Sequence, residues 1–445
     1  MDREKHILDN DRIGRLLLKI SGPAMIAMMV NALYNVVDAI FVGRGVGTLG
    51  IAGVSIVFPI QIFILAIALM IGIGSASIIS RSLGAKKYQR AYETVGTAVL
   101  SVTVLGIIAA VFGSVFLNRL LIIFGSTEAI LPYAQEYARI VLMGSIFFSF
   151  TVATNNIVRA EGRAVIAMTS MIIGAVLNII LDPIFIFGLD MGIRGAALAT
   201  VIAHIVTSFY LLLYFQFGNS SLKIRWQYLR IRLKILGEIA AVGSASFVRQ
   251  LSFSALAAIL NNILKGFGGD VPIAVFGIIN RINSFVMMPM LGIAQGVQPI
   301  VGFNYGARRF DRLLKTLRLG LKSTSMVGLF GFAILLLIPG VLFGLFTQDA
   351  ELRRLGVEAM RIFALGVPVI GFLIIGGSLF QAIGKAKHAL FLSLARQILI
   401  VTMVLILPRF YGLNGVWISF PLANVLFTGV TLLLYLPQIR EFHNC

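Results

Sequence analysis

The 445-residue chain is 58% hydrophobic, only 12% charged, and has a mean hydropathy of +0.96. That composition excludes a soluble protein of two or three domains and indicates an all-α, polytopic membrane protein embedded in a lipid bilayer. The net charge of +19 would suit nucleic acid, but Lys and Arg cluster in short loops between apolar runs. They therefore read as topology signals, and no nucleic-acid partner is expected.

The N-terminus, Asp2 to His6, is polar and carries no cleavable signal before the first apolar run. Twelve spans are predicted after it, at 16–42, 52–80, 92–117, 130–157, 164–188, 194–216, 237–264, 273–302, 316–344, 357–382, 388–408 and 413–437. One side of the membrane receives basic clusters such as Arg12, Arg15 and Lys19, Lys86 and Lys87, Lys223 to Lys234, and Arg308 to Lys322, together with Arg3 and Lys5. The other receives Arg44, Arg119, Arg194, Lys265, Arg353, Arg354 and Arg409, a roughly threefold asymmetry. By the positive-inside rule both termini are expected in the cytoplasm of a cell that carries the protein in its cell (inner) membrane. Asn219-Ser220-Ser221 matches a glycosylation acceptor but falls on the cytoplasmic side, and reads as chance.

The chain repeats itself. Leu83-Gly84-Ala85-Lys86 returns as Tyr305-Gly306-Ala307-Arg308, Gly162-Arg163-Ala164 as Gly384-Lys385-Ala386, and Gly74 as Gly296, at one offset of about 222 residues. Six spans per unit is an even number, so the halves form a parallel repeat with its axis along the membrane normal. The expected division is an N-terminal lobe (1–215), a cytoplasmic linker (216–236) and a C-terminal lobe (237–445), in a monomer.

Two acids lie deep in apolar runs: Asp38 in the first span and Asp182 in the fifth. Asn178 precedes Asp182 by four residues and shares its helix face. Thr200 and Tyr137 lie about two turns into spans that run back from the same side, so all five sit at similar depth in the outer half of the first repeat. Carboxylate, amide and hydroxyl oxygens in Asp38, Asn178, Asp182 and Thr200 could hold Na+ as a hard cation. Equally, two neighbouring carboxyls in low dielectric resist ionising together and could carry H+. His204, one turn past Thr200, reads more readily as a packing residue than a titrating one. Gln61, Asn155, Asn156, Gln295 and Gln298 are polar positions in apolar runs that could line a substrate cavity or bond helix to helix. Arg281 within the eighth span needs water or an acid beside it. The offset sets Leu260 opposite Asp38 and Val404 or Thr402 opposite Asp182, and no acid lies deep in spans 7 to 12, so coupling chemistry belongs to the first half.

Five segments carry a family resemblance: Val37-Asp38-Ala39-Ile40-Phe41-Val42-Gly43, Leu83 to Lys86, Arg159-Ala160-Glu161-Gly162, Leu177-Asn178-Ile179-Ile180-Leu181-Asp182-Pro183 and Gly302-Phe303-Asn304-Tyr305-Gly306-Ala307. Together they resemble the multidrug and toxic compound extrusion (MATE) family, on the DinF-like or MepA-like side rather than the NorM-like side, whose members carry further acids in the second lobe. The resemblance implies two six-helix lobes in a V, alternating access, and export of amphipathic, mostly cationic drugs against H+ or Na+, with no other cofactor. It places cation coupling on Asp38, Asn178, Asp182 and Thr200, with Tyr137 nearby. A lipid-linked precursor flippase of the same superfamily is the alternative, kept open by Arg281. An enzyme is not expected: Cys445 is the only cysteine, and His6, His204, His388 and His443 are scattered. A channel is disfavoured by the lack of a filter-like motif or an acidic ring.

Overall fold

The computed structural model describes residues 7–444 except 11 and 268, and their side chains except those of Asn10, Asn35 and Ala39. Arg3, Lys5, His6 and Cys445 lie outside the described residues. Helix dominates because long runs that are apolar all round can satisfy their backbone in lipid only within themselves. Eleven helices among the described residues are long and apolar enough to cross a membrane, and one bent pair makes a twelfth.

The first two spans form one helical trace, Ile13–Gly84, broken at Gly47, where φ is +75°. Its two ends, Ile13 and Leu83, belong to one buried cluster, so the chain doubles back at Gly47. Residues 13–46 are α1 and 48–84 are α2. There follow α3 (Tyr88–Val115), α4 (Leu131–Ala160), α5 (Ala164–Pro183), α6 (Gly192–Phe217), α7 (Leu233–Gly266), α8 (Asp270–Gly306) and α9 (Phe310–Leu337). The tenth span, expected as one run, is instead Ala350–Ala364 and Val367–Ile383 (α10), bent by 49°. Pro368 has no N–H to continue the first segment's ladder but suits the first turn of a new helix. α11 (Ala386–Ile406) and α12 (Pro408–His443) complete the bundle.

Backbone turns report the repeat independently of composition. Left-handed φ occurs at Gly47 and Gly269, Lys86 and Arg308, Gly162 and Gly384, and Gly192 and Gly412, each pair separated by the offset read from sequence or within two residues of it. Lys86 and Arg308 are the informative pair, because a side chain makes that conformation costly.

The halves are sealed together at one end only, the end carrying the basic clusters. A Cβ on Gly84 would collide with the carbonyl of Phe303, and one on Gly306 with that of Arg81. Gly74 approaches Ile239, and Gly243 approaches Met70, in the same way. One buried cluster there takes Leu16, Ile78 and Leu83 from the first half with Val297, Ile300 and Phe380 from the second. Arg90 of α3 also pairs with Glu238 of α7 at 2.6 Å, although exposure of both side chains keeps its contribution small. Towards the opposite end the core divides. Val57, Leu121, Tyr137 and Leu142 form one cluster, and Leu260, Ile279, Phe363 and Trp417 form another. The lobes thus part into a cleft at the end away from the basic loops.

Gly84→Val should lower the thermal midpoint in detergent by several degrees, since overpacking a tight contact costs about 1–3 kcal/mol. Gly277→Ala, where a Cβ meets nothing within 4 Å, should leave it unchanged or slightly raised. Equal midpoints for Gly84→Val and the wild type would contradict the sealed interface.

Candidate functional site

At the open end of the first half, α1, α2, α4, α5 and α6 converge on one polar cluster. α1 brings Asp38, half-buried, and α5 brings Asp182, fully buried. Their carboxyl groups come within hydrogen-bonding reach of each other. Asn178, one turn earlier on α5, lies between the acid and α6. With its amide turned to satisfy both ends, Nδ2 donates to Asp182 Oδ2 at 2.8 Å and the amide oxygen lies 3.2 Å from Thr200 Oγ1. Tyr137 is buried on α4 and accepts a hydrogen bond from Gln61 Nε2 of α2 at 3.4 Å. The five residues grouped by depth in the sequence are therefore neighbours in space.

Local sequence explains how Asp182 is aimed. Pro183 cannot donate to the helix ladder, and beyond it the chain widens into a π-helical turn, Ile184–Gly188. Gly195 of α6 packs against the backbone of Phe185 in that turn, which draws α6 and its Thr200 towards α5. Among the described residues neither acid joins an ion pair, since those present involve other side chains. No group of three or more His, Cys, Asp or Glu is assembled among them either. The oxygens of Asp38, Asn178, Asp182 and Thr200 are what this pocket offers to a cation.

The remaining polar candidates divide. Asn156, Gln295 and Gln298 gather with Arg159 where the lobes meet, around a space with room for about one water. Arg159 donates to Asn156 Oδ1 at 3.2 Å, and Gln298 Nε2 is buried without a partner. Gln61 belongs to the acidic cluster through Tyr137. Asn155 is held between α4 and α5, donating to Ala167 O at 2.9 Å and Ser170 Oγ at 2.7 Å. Arg281 is exposed on α8 and does not line the space between Asn156, Gln295 and Gln298. His204 packs edge-on against Phe148 at 5.0 Å, as expected of a packing histidine.

Two features escaped the sequence reading. Tyr34, one turn before Asp38, reaches Thr200 with its side chain and faces Tyr137 and both acids; the four-residue spacing that links Asn178 with Asp182 would have found it. Glu161, noted only as part of a motif, is buried in the turn after α4. It accepts hydrogen bonds from Ser220 Oγ at 2.9 Å, Ser221 N at 3.2 Å and Tyr214 Oη at 3.4 Å. It therefore fastens the segment between α6 and α7 to the first half. Burial pushes its carboxyl up to about 7, against the opposing pull of these donors and of Arg163.

The MatE family profile matches residues 23–184 and 245–407, one copy in each half. The chain is 45% identical to the MATE multidrug transporter DinF-BH, solved as a complex, with 94% of each chain covered and a TM-score of 0.89. It is 30% identical to a MATE transporter of the MOP superfamily solved in an outward-facing conformation, over all of both chains, with a TM-score of 0.94. Among curated relatives, the multidrug export protein MepA of Staphylococcus haemolyticus is 26% identical over 417 residues, 93% of this chain and 91% of that one.

The Glu161 carboxyl gives a signed expectation. Its folded value of about 7 lies above the ordinary carboxylate value, so its contribution to stability is complete at low pH and is lost as pH rises through 7. The thermal midpoint of the wild type relative to Glu161→Gln should therefore fall between pH 5 and pH 8, by the equivalent of about 1–3 kcal/mol. A difference independent of pH would contradict a buried, titrating Glu161.

Proposed function

This chain belongs to the MatE family, and from that premise we propose that it is a multidrug efflux antiporter of the cell membrane. It exports amphipathic, mostly cationic compounds in exchange for H+ or Na+ by alternating access. The basic loops set the sealed end, with both termini, in the cytoplasm, so the cleft opens outward. The repeated turns support a division into lobes at 1–215 and 237–445, joined by the linker at 216–236.

The observation that carries this reading is the contact between Asp38 and Asp182, in a pocket with no basic partner among the described residues. Two ionised carboxylates do not rest against each other in a low-dielectric pocket without something positive between them. A shared proton fits the direct carboxyl–carboxyl contact, which favours H+; Na+ is the second reading, supported by the oxygens of Asn178 and Thr200. Asp38 is half-buried and Asp182 fully covered by protein, so Asp38 is the outer member of the pair. Cation uptake neutralises the pair, alters the packing of α1 against α5 and α6, and disfavours a bound cationic drug. The effect is reciprocal: drug arriving at the inward-open transporter expels the cation.

In proteoliposomes loaded with a fluorescent cationic dye, Asp38→Asn and Asp182→Asn should each reduce gradient-driven efflux at least about tenfold, a coupling loss of about 1.4 kcal/mol or more. Asp190→Asn, at an exposed turn, should retain wild-type efflux. Imposing a proton or a sodium gradient alone identifies the ion. Undiminished efflux in both acid variants would contradict the proposal.

A further inference from the structure

The second half holds a charge arrangement opposite to that of the first. Where Asp38 and Asp182 have the counterparts Leu260 and Val404, α7 and α11 instead place Arg249 and Arg396 near the middle of their spans. The same offset puts Ala27 and Gly174 at the matching positions of the first half, so these arginines are additions peculiar to the second. α7 and α11 pack against each other, and the two arginines, each near the middle of its helix, lie within electrostatic reach. Among the described residues neither is ion-paired. Their only protein acceptors there are neutral: Arg249 donates to Ser246 Oγ at 3.1 Å, and Arg396 to Asn424 Oδ1 at a long 3.4 Å.

Two like charges at mid-membrane, with no acid paired to either among the described residues, form an unbalanced arrangement. Arg249 is exposed and Arg396 half-buried, so the protein does not close over either side chain. Arg396 Nε is buried without a partner, so part of its donor capacity is unused. Gln381 Nε2 donates to the same Ser246 at 2.9 Å, bracing the base of Arg249. A planar, forked donor of this kind suits a carboxylate or phosphate more than any neutral group.

We infer that the second lobe carries an anion subsite between α7 and α11, in which Arg249 and Arg396 hold the acidic group, carboxylate or phosphate, of an amphipathic molecule. The subsite is separate from the cation pair. It extends the ligand range of the proposed exporter to acidic compounds or to an acidic lipid headgroup, and it repels the cationic drugs that the first lobe admits. It rests on the reading of the chain as a transporter with a wet cleft, but not on cation coupling through Asp38.

The test uses full-length protein in phosphatidylcholine nanodiscs, with carboxyfluorescein as a soluble anionic probe and phosphatidylglycerol as a lipid probe. Binding of carboxyfluorescein, followed by anisotropy, should weaken at least tenfold in Arg249→Gln and Arg396→Gln and persist in Asp38→Asn. Arg249→Lys and Arg396→Lys, which keep the charge but lose the fork, should bind between the wild type and the Gln variants. If only phosphatidylglycerol raises the thermal midpoint, and does so in the wild type but not in the Gln variants, the occupant is a lipid headgroup and the inference stands. If neither probe binds the wild type, or either binds the Gln variants equally well, it is overturned. Loss of dye efflux in Asp38→Asn with anion binding intact would show the two readings to be independent.

Discussion

Two carboxyl groups in contact inside the membrane, with no arginine or lysine paired to them among the described residues, are the constraint on which the rest of the first half depends. An ionised side chain at mid-bilayer costs about 2.5–3.5 kcal/mol on insertion scales, so two together stay only where the protein supplies compensating groups or a bound cation. Five helices converge to do so. Asn178 bridges Asp182 to Thr200, Tyr34 and Tyr137 supply hydroxyls, and the turn forced by Pro183 brings α5 to the right aim. A hydrophobic isostere at either acid would relieve the burden and remove the proposed cation coupling.

The sealed end answers a different physical demand. Two lobes that close tightly need places where backbone meets backbone, and side chains from both halves then pack around those contacts. Gly84 against Phe303 and Gly306 against Arg81 meet that demand, and the internal repeat applies it twice. The same glycines made the repeat visible in the sequence, because a position that admits no Cβ tolerates no substitute.

Span number, the repeat offset and the grouping of Asp38, Asn178, Asp182, Thr200 and Tyr137 were legible in the sequence, since each rests on hydropathy, helical period or depth. The bend in α10 was not: Gly366 and Pro368 sit inside an unbroken apolar run, and hydropathy does not sense direction. Nor was the difference between Asn155 and Asn156. Adjacent helical residues point about 100° apart, so one bonds Ser170 on α5 while its neighbour meets Arg159 at the lobe interface. Only the three-dimensional arrangement distinguishes them. Arg249 and Arg396, unlike Arg281, went unremarked in the sequence, because one charge in a long apolar run says nothing of a second on another helix.

Counting protons tests the central claim most directly. A cationic drug is titrated into detergent-solubilised protein, in weakly buffered, sodium-free solution, while a pH indicator reports release. The account predicts about one proton released per drug bound by the wild type, and none by Asp38→Asn or Asp182→Asn, because the pair titrates as a unit. Release that persists undiminished in both variants, or drug binding by the wild type with no release at all, would contradict it.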